Sequence, residues 1–130
     1  MRAHPRNVPL MAAIPDITET EKWIMQTTLK ERYGRDMEIR LADADIRLHP
    51  ADRELTGCPV IYWQAEDGCS FVIFKTGEYR YRCQFYYEPY KQMGTGVHEF
   101  DDLAECAVAL LQAQADFTAE RRGDLPSTRR

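Results

Sequence analysis

Long apolar runs are missing from this chain of 130 residues. None approaches the roughly 18 residues that a membrane helix needs, and no signal-peptide core follows Met1. The expectation is a cytoplasmic protein with no membrane partner. Cysteine is sparse. Cys58, Cys69, Cys83 and Cys106 form no C-x-x-C pair, and no histidine beside them completes a zinc spacing. Reduced thiols, no metal and no cofactor are expected. A site built from His49, Cys58 and His98 is chemically conceivable, but no spacing selects it. Asp43 and Asp45 make a D-x-D without the ligand count of a calcium loop. Gly94-Thr95-Gly96 lacks the third glycine of a nucleotide fingerprint, and Glu99, Asp101 and Asp102 behind it would repel phosphate. Internal repeats, low-complexity tracts and a recognisable catalytic set are also missing.

What is present is ordinary globular composition: 44% hydrophobic, 11% aromatic and 29% charged residues, enough for one core in one domain. The net charge of −4 is unevenly spread. From Asp16 to Asp116 there are 11 Lys/Arg against 19 Asp/Glu, a net −8, while Arg2, Arg6, Arg121, Arg122, Arg129 and Arg130 lie outside that span. An acidic body repels phosphate backbones and argues against nucleic acid as a partner. The organisation expected is an extended arm over 1–15, a single domain over 16–120 and a disordered basic tail over 121–130.

Thr18 and Glu21 have capping-box spacing and open a helix, with Trp23, Ile24, Met25, Leu29 and Tyr33 as its apolar stripe and Gly34 as its stop. From Met37 to Leu48 the alternation changes phase, which predicts a strand with a β-bulge or a break near Ala42–Asp43. Asp101 is the expected cap of a last helix whose inner face carries Leu103, Cys106, Ala107, Leu110, Gln114 and Phe117.

Between these lies the most informative stretch. Asp67-Gly68 is a two-residue hairpin signal and Thr76-Gly77 a weaker one. Together they predict a three-stranded meander in which Trp63 faces Val72, Ile61 faces Phe74, Phe74 faces Tyr79, and Lys75 stands opposite Glu78. Ile61, Trp63, Val72, Phe74, Tyr79, Tyr81, Cys83 and Phe85 then share the core face. The fold class expected is α+β: a two-layer sandwich, an antiparallel sheet of about four strands with an N-terminal and a C-terminal helix, in the order α-β-β-β-β-α.

The same register predicts a second sheet face carrying Val60, Tyr62, Phe71, Ile73, Arg80 and Arg82. That set is too apolar for a face meant for water and carries residue types enriched at interfaces. The functional expectation is a small interaction or regulatory module without its own catalytic site, binding a protein partner or forming a homodimer through this face. A small enzyme is the alternative, its site in the 88–99 loop with Tyr90, Lys91 and His98, where His98 beside Glu99 could act as a general base. A weak single-stranded nucleic-acid binder using sheet aromatics is a further one.

Overall fold

The computed structural model describes residues 14–123. Helix α1 (Glu19–Tyr33) is followed by strands β1 (Arg40–Ile46), β2 (Thr56–Gln64), β3 (Ser70–Gly77) and β4 (Arg80–Tyr86), then helix α2 (Leu103–Arg122). The four strands form one antiparallel sheet in sequence order, so the α+β class and the α-β-β-β-β-α order stand. Of the expected arm, only Ile14 and Pro15 fall within the described residues. Of the expected tail, 124–130 lie outside them, while Arg121 and Arg122 complete α2 and Gly123 caps it at φ 80°.

Both helices start on local chemistry legible in the sequence. The Thr18 side chain accepts from the Glu21 N–H at 3.0 Å and the Glu21 carboxylate accepts from the Thr18 N–H at 2.8 Å, a complete capping box. Gly34 closes α1 in the left-handed conformation. Asp102, one residue later than expected, caps α2 by accepting from the Glu105 N–H at 2.8 Å. Trp23 leaves the expected stripe and is 64% exposed; Met25 and Leu29 carry the buried face of α1.

The sheet register corrects the expected one. Ala65 N–H donates to the Cys69 carbonyl and Gly68 N–H to the Ala65 carbonyl, so the loop contains three residues, Glu66, Asp67 and Gly68. Only Gly68 takes a positive φ (92°), and the Asp67 carboxylate accepts from the Cys69 N–H. This is a turn ending in a left-handed glycine, not the two-residue turn in which both central residues are left-handed. One extra loop residue moves β3 by one position and exchanges its faces. Trp63 therefore pairs with Phe71, Ile61 with Ile73, Tyr62 with Val72 and Val60 with Phe74. Phe71 and Ile73 are core, fully or almost fully buried, and not part of the second face.

The next turn also differs. It is made by Glu78 and Tyr79 rather than Thr76-Gly77, with a bulge between Lys75 and Gly77. Tyr79, expected in the core, sits in that turn at φ 56° and is 68% exposed. Lys75 stands opposite Tyr81, not Glu78. The two slips cancel on β4, where Tyr81, Cys83 and Phe85 face the helices as expected. Neither the bulge nor the break expected in β1 is there: Arg40 to Ile46 pair without interruption with Tyr62 to Thr56. The change of phase reflects cover. Met37 and Ile39 pack into the helix-side core, whereas Ile46, on the other face, is half-buried at the end where the chain turns back.

The core lies between the sheet and both helices. Trp63 stacks on Phe71 (5.0 Å, 7°), and the contacts continue through Phe85 to Phe117 and Tyr87. The Trp63 indole N–H has no acceptor in hydrogen-bond geometry, although it lies near enough to the Tyr33 hydroxyl to oppose the rise in that phenol's pKa that burial causes. At the other end of the core three polar side chains are enclosed. Lys75 is 2%, Tyr81 2% and Glu21 7% exposed. Lys75 Nζ donates to Glu21 Oε1 at 2.9 Å and to the Asp16 carbonyl at 2.8 Å, and the Tyr81 hydroxyl donates to Glu21 Oε2.

Removing one member of such a buried pair strands the other. Lys75→Met should destabilise the protein by about 3–5 kcal/mol, measured by urea denaturation. The pH dependence follows from the same cluster. Burial pushes the Glu21 carboxyl up, but bonds from Tyr81, Lys75 and the Thr18 N–H outweigh it and hold the group below its ordinary 4.5. The unfolded chain then takes up that proton first as pH falls. The stability Glu21 contributes is present above 4.5 and is lost as pH drops through its folded pKa. Burial and the Glu21 carboxylate raise the Tyr81 phenol above its ordinary 10.0, so its contribution is present below pH 10.0 and lost as pH rises further. Urea midpoints should fall on both sides of that window, and Tyr81→Phe should flatten the alkaline side.

Candidate functional site

The exchanged face of β3 reshapes the second sheet face. Directly paired residues share a face, so two rows cross it: Arg40, Tyr62, Val72 and Gln84, then Ala42, Val60, Phe74 and Arg82. Both helices pack on the opposite side, against Ile61, Trp63, Phe71, Ile73, Tyr81 and Phe85. Among the described residues no helix covers the second face.

That face is not uniformly open. Cys58 (0% exposed) and Val60 (4%) are buried, Val72 and Phe74 are half-buried, and Tyr62 is exposed. Arg82 organises the closed end. Its Nη2 donates to the Leu48 carbonyl at 2.9 Å, which ties the loop between β1 and β2 to β4. Its Nε donates to Glu99 Oε2 at 3.2 Å. Glu99 also accepts from the Thr76 hydroxyl at 2.8 Å and pairs with Arg80 at 3.4 Å. Burial raises the Glu99 carboxyl, and the Thr76 and Arg82 bonds with the two guanidinium charges more than offset it, leaving the pKa lowered. Arg82 is thus a brace within the fold, while Arg80 is an exposed ion-pair partner.

Of the six residues expected on this face, the structure keeps Val60, Tyr62 and Arg82 together, moves Phe71 and Ile73 into the core, and places Arg80 at the rim beside the turn. Val72 and Phe74 take the vacated positions. Sequence parity could have found them only with the correct turn length. The Glu21–Lys75–Tyr81 cluster was also missed. Its available signal was a lysine closing the apolar run from Phe71 to Phe74.

The loop candidates are not gathered into a site. Tyr90 is 79% exposed, and Lys91 and His98 are exposed. Met93 bridges to Phe85 and Phe100 to Tyr81, so this loop runs along the outer edge of β4. Lys91 and His98 flank anchor points four strand residues apart, about 13 Å along β4. Lys91 lines an open cleft of about 570 Å³ with Tyr87, Glu88, Met93, Phe117 and Arg121. Arg121 lies over the Phe117 ring there, 5.3 Å from its centroid. Among the described residues no group of three or more His, Cys, Asp or Glu side chains is arranged to hold a metal ion, and no helix is long and apolar enough to cross a membrane.

Comparison with family models, with curated proteins and with solved structures returns no match.

If Arg82 braces the loop as its bonds indicate, Arg82→Ala should release residues 47–55. A hydrogen bond from a charged donor contributes about 1.5–3 kcal/mol. Amide exchange in that loop should then accelerate by roughly tenfold or more, measured by mass spectrometry, while amides of α2 stay protected.

Proposed function

We propose that this protein is a non-catalytic interaction module whose second sheet face recognises a protein partner, most simply a second copy of the same chain. The observation that carries this reading is the row Tyr62–Val72 beside Val60–Phe74: four adjoining apolar side chains on the side of the sheet opposite both helices. Val60 is already buried, but Tyr62 is exposed and Val72 and Phe74 are half-buried, so at these three part of the roughly 1.5–3 kcal/mol that fully burying such a side chain is worth remains unrealised. Arg40 and Gln84 close the first row with polar groups, the arrangement of an apolar centre with a polar rim. The face is self-complementary in type, as a two-fold contact requires.

Tyr62 and Val72 pair directly across β2 and β3. Tyr62→Glu combined with Val72→Lys therefore places opposite charges in a cross-strand pair and keeps the sheet compatible with folding. The double variant should unfold cooperatively near the wild-type temperature and lose self-association, read by sedimentation from micromolar to millimolar concentration. A wild-type chain that stays monomeric over that range overturns recognition of a second copy. A variant that associates as the wild type does removes this face from the contact.

A further inference from the structure

The two edges of the sheet differ. The outer side of β4 is taken by the loop that follows it, where Met93 and Phe100 exchange backbone bonds with Phe85 and Tyr81. At the other edge β1 pairs with β2, and among the described residues no strand lies outside it. The direction of its backbone groups follows from the same bonds, because bonding direction alternates residue by residue along a strand. Tyr81 and Phe85 bond outward, so the even-numbered residues of β4 bond to β3. The alternation carries through β3 and β2, where the bond from the Ala65 N–H to the Cys69 carbonyl continues the pairing of Trp63 with Phe71. In β1 the even-numbered residues then bond to β2, and Leu41, Asp43 and Asp45 turn their N–H and C=O groups outward. The side chains of these three share the face of Ile61, yet Leu41 is 46% exposed and both aspartates are exposed. A second copy of β1 fits this edge badly. Two-fold pairing sets odd-numbered residues against odd-numbered ones, so within the strand Asp43 meets Leu41 or another aspartate, while Arg40 stands on the other face.

The chain carries a segment whose chemistry matches. Residues 1–13 lie outside the described residues and contain Arg2 and Arg6 but no Asp or Glu. Their even positions run His4, Arg6, Val8, and their prolines fall at odd positions, Pro5 and Pro9. In an extended strand even and odd residues point their backbone groups to opposite sides, so a strand that bonds through its even residues loses no donor to proline. Each proline also favours the extended region for the residue before it, here His4 and Val8. We propose that residues 4–8 add to the outer edge of β1 of the same chain as a fifth, antiparallel strand, with Val8 opposite Leu41, Arg6 opposite Asp43 and His4 opposite Asp45. The order of residues selects the direction. The arm runs from basic to apolar and β1 from apolar to acidic, so an antiparallel strand matches both and a parallel one neither. The reach is sufficient. Lys75 fixes the Asp16 carbonyl, and from its neighbour Phe74 a row of paired residues leads through Val60 to Ala42. A fifth strand lies three strand spacings from β3, about 14–15 Å, and residues 9–15 span about 23 Å when extended. Pro5 and Pro9 then face away from the sheet and deny its new edge to a further strand. This pairing is independent of the contact proposed for the second face, and it closes the edge through which chains would otherwise add without limit.

The test is amide exchange of the full chain, read residue by residue by nuclear magnetic resonance. Val8→Pro removes a donor on the bonding side of the arm, and Asn7→Pro removes one that points away. The Leu41 and Asp43 amides should exchange roughly tenfold or more faster in Val8→Pro than in the wild type, and as slowly in Asn7→Pro as in the wild type. Asp43→Lys should release the Leu41 amide, and adding Arg6→Glu to it should restore the protection. All four substitutions lie in the arm or at an exposed edge position, away from the core. Leu41 and Asp43 amides that exchange equally in the wild type and in Val8→Pro overturn the proposal, as does release by Asn7→Pro equal to that by Val8→Pro. Protection that disappears on dilution assigns the strand to the arm of a second copy and overturns pairing within one chain.

Discussion

The Glu21 carboxylate holds the two layers of this protein in one relation. One oxygen accepts from the Thr18 N–H and from Lys75, the other from Tyr81. The first of these bonds starts α1, the second reaches β3 and the third reaches β4. Lys75 adds the Asp16 carbonyl, which ties the chain just before α1 to the same point. A buried ion pair is weak support for stability as such, because desolvation opposes the attraction. Its effect here is positional. A lysine enclosed without its carboxylate is costly, so arrangements that slide α1 along the sheet, or turn Lys75 outward with its strand, lose the pairing. The same occupancy excludes a catalytic reading of the cluster: both carboxylate oxygens are engaged within the fold and all three side chains are enclosed.

That cluster also explains what the sequence left illegible. The α1 caps, strand order and the facing of β2 and β4 could be read from spacing alone, whereas the α2 cap falls on Asp102, one residue past the expected Asp101. Thr18 with Glu21, Gly34, and the alternation through Ile61 and Trp63 each act within a few residues. The facing of β3 depends on whether Asp67-Gly68 forms the middle or the end of its turn. The Asp67 carboxylate decides this by accepting the Cys69 N–H, a tertiary-scale consequence of one local bond. Phe71-Val72-Ile73-Phe74 is apolar at every position, so periodicity gives no preference between its two faces. Lys75 was the discriminating residue. Read as a surface cation it favoured the slipped register; paired with a buried carboxylate it requires the observed one.

Trp23 and Tyr79 illustrate a different limit. Both are large apolar residues that sequence pattern assigned to the core, and both stand in solvent. Trp23 is adjacent to the stripe of Met25 and Leu29 but rotated off it. Tyr79 fell out of the core because the turn moved two residues onward. Neither departure alters the layer order, since the Trp63–Phe71–Phe85–Phe117 series fills the interior without them.

The second sheet face follows from the same register. Exchanging the faces of β3 removes Phe71 and Ile73 from it and supplies Val72 and Phe74, so the face keeps its apolar character while two of its members change. What alters is its extent. Arg82 spans from Glu99 to the Leu48 carbonyl and closes one end, leaving Tyr62, Val72 and Phe74 as the accessible part. For the contact proposed above, three accessible apolar side chains braced at one end and bordered by polar Arg40 and Gln84 favour a limited association over an obligate one. Under that proposal association depends on concentration, and the monomer, whose core and ion pair are complete without it, remains folded on dilution.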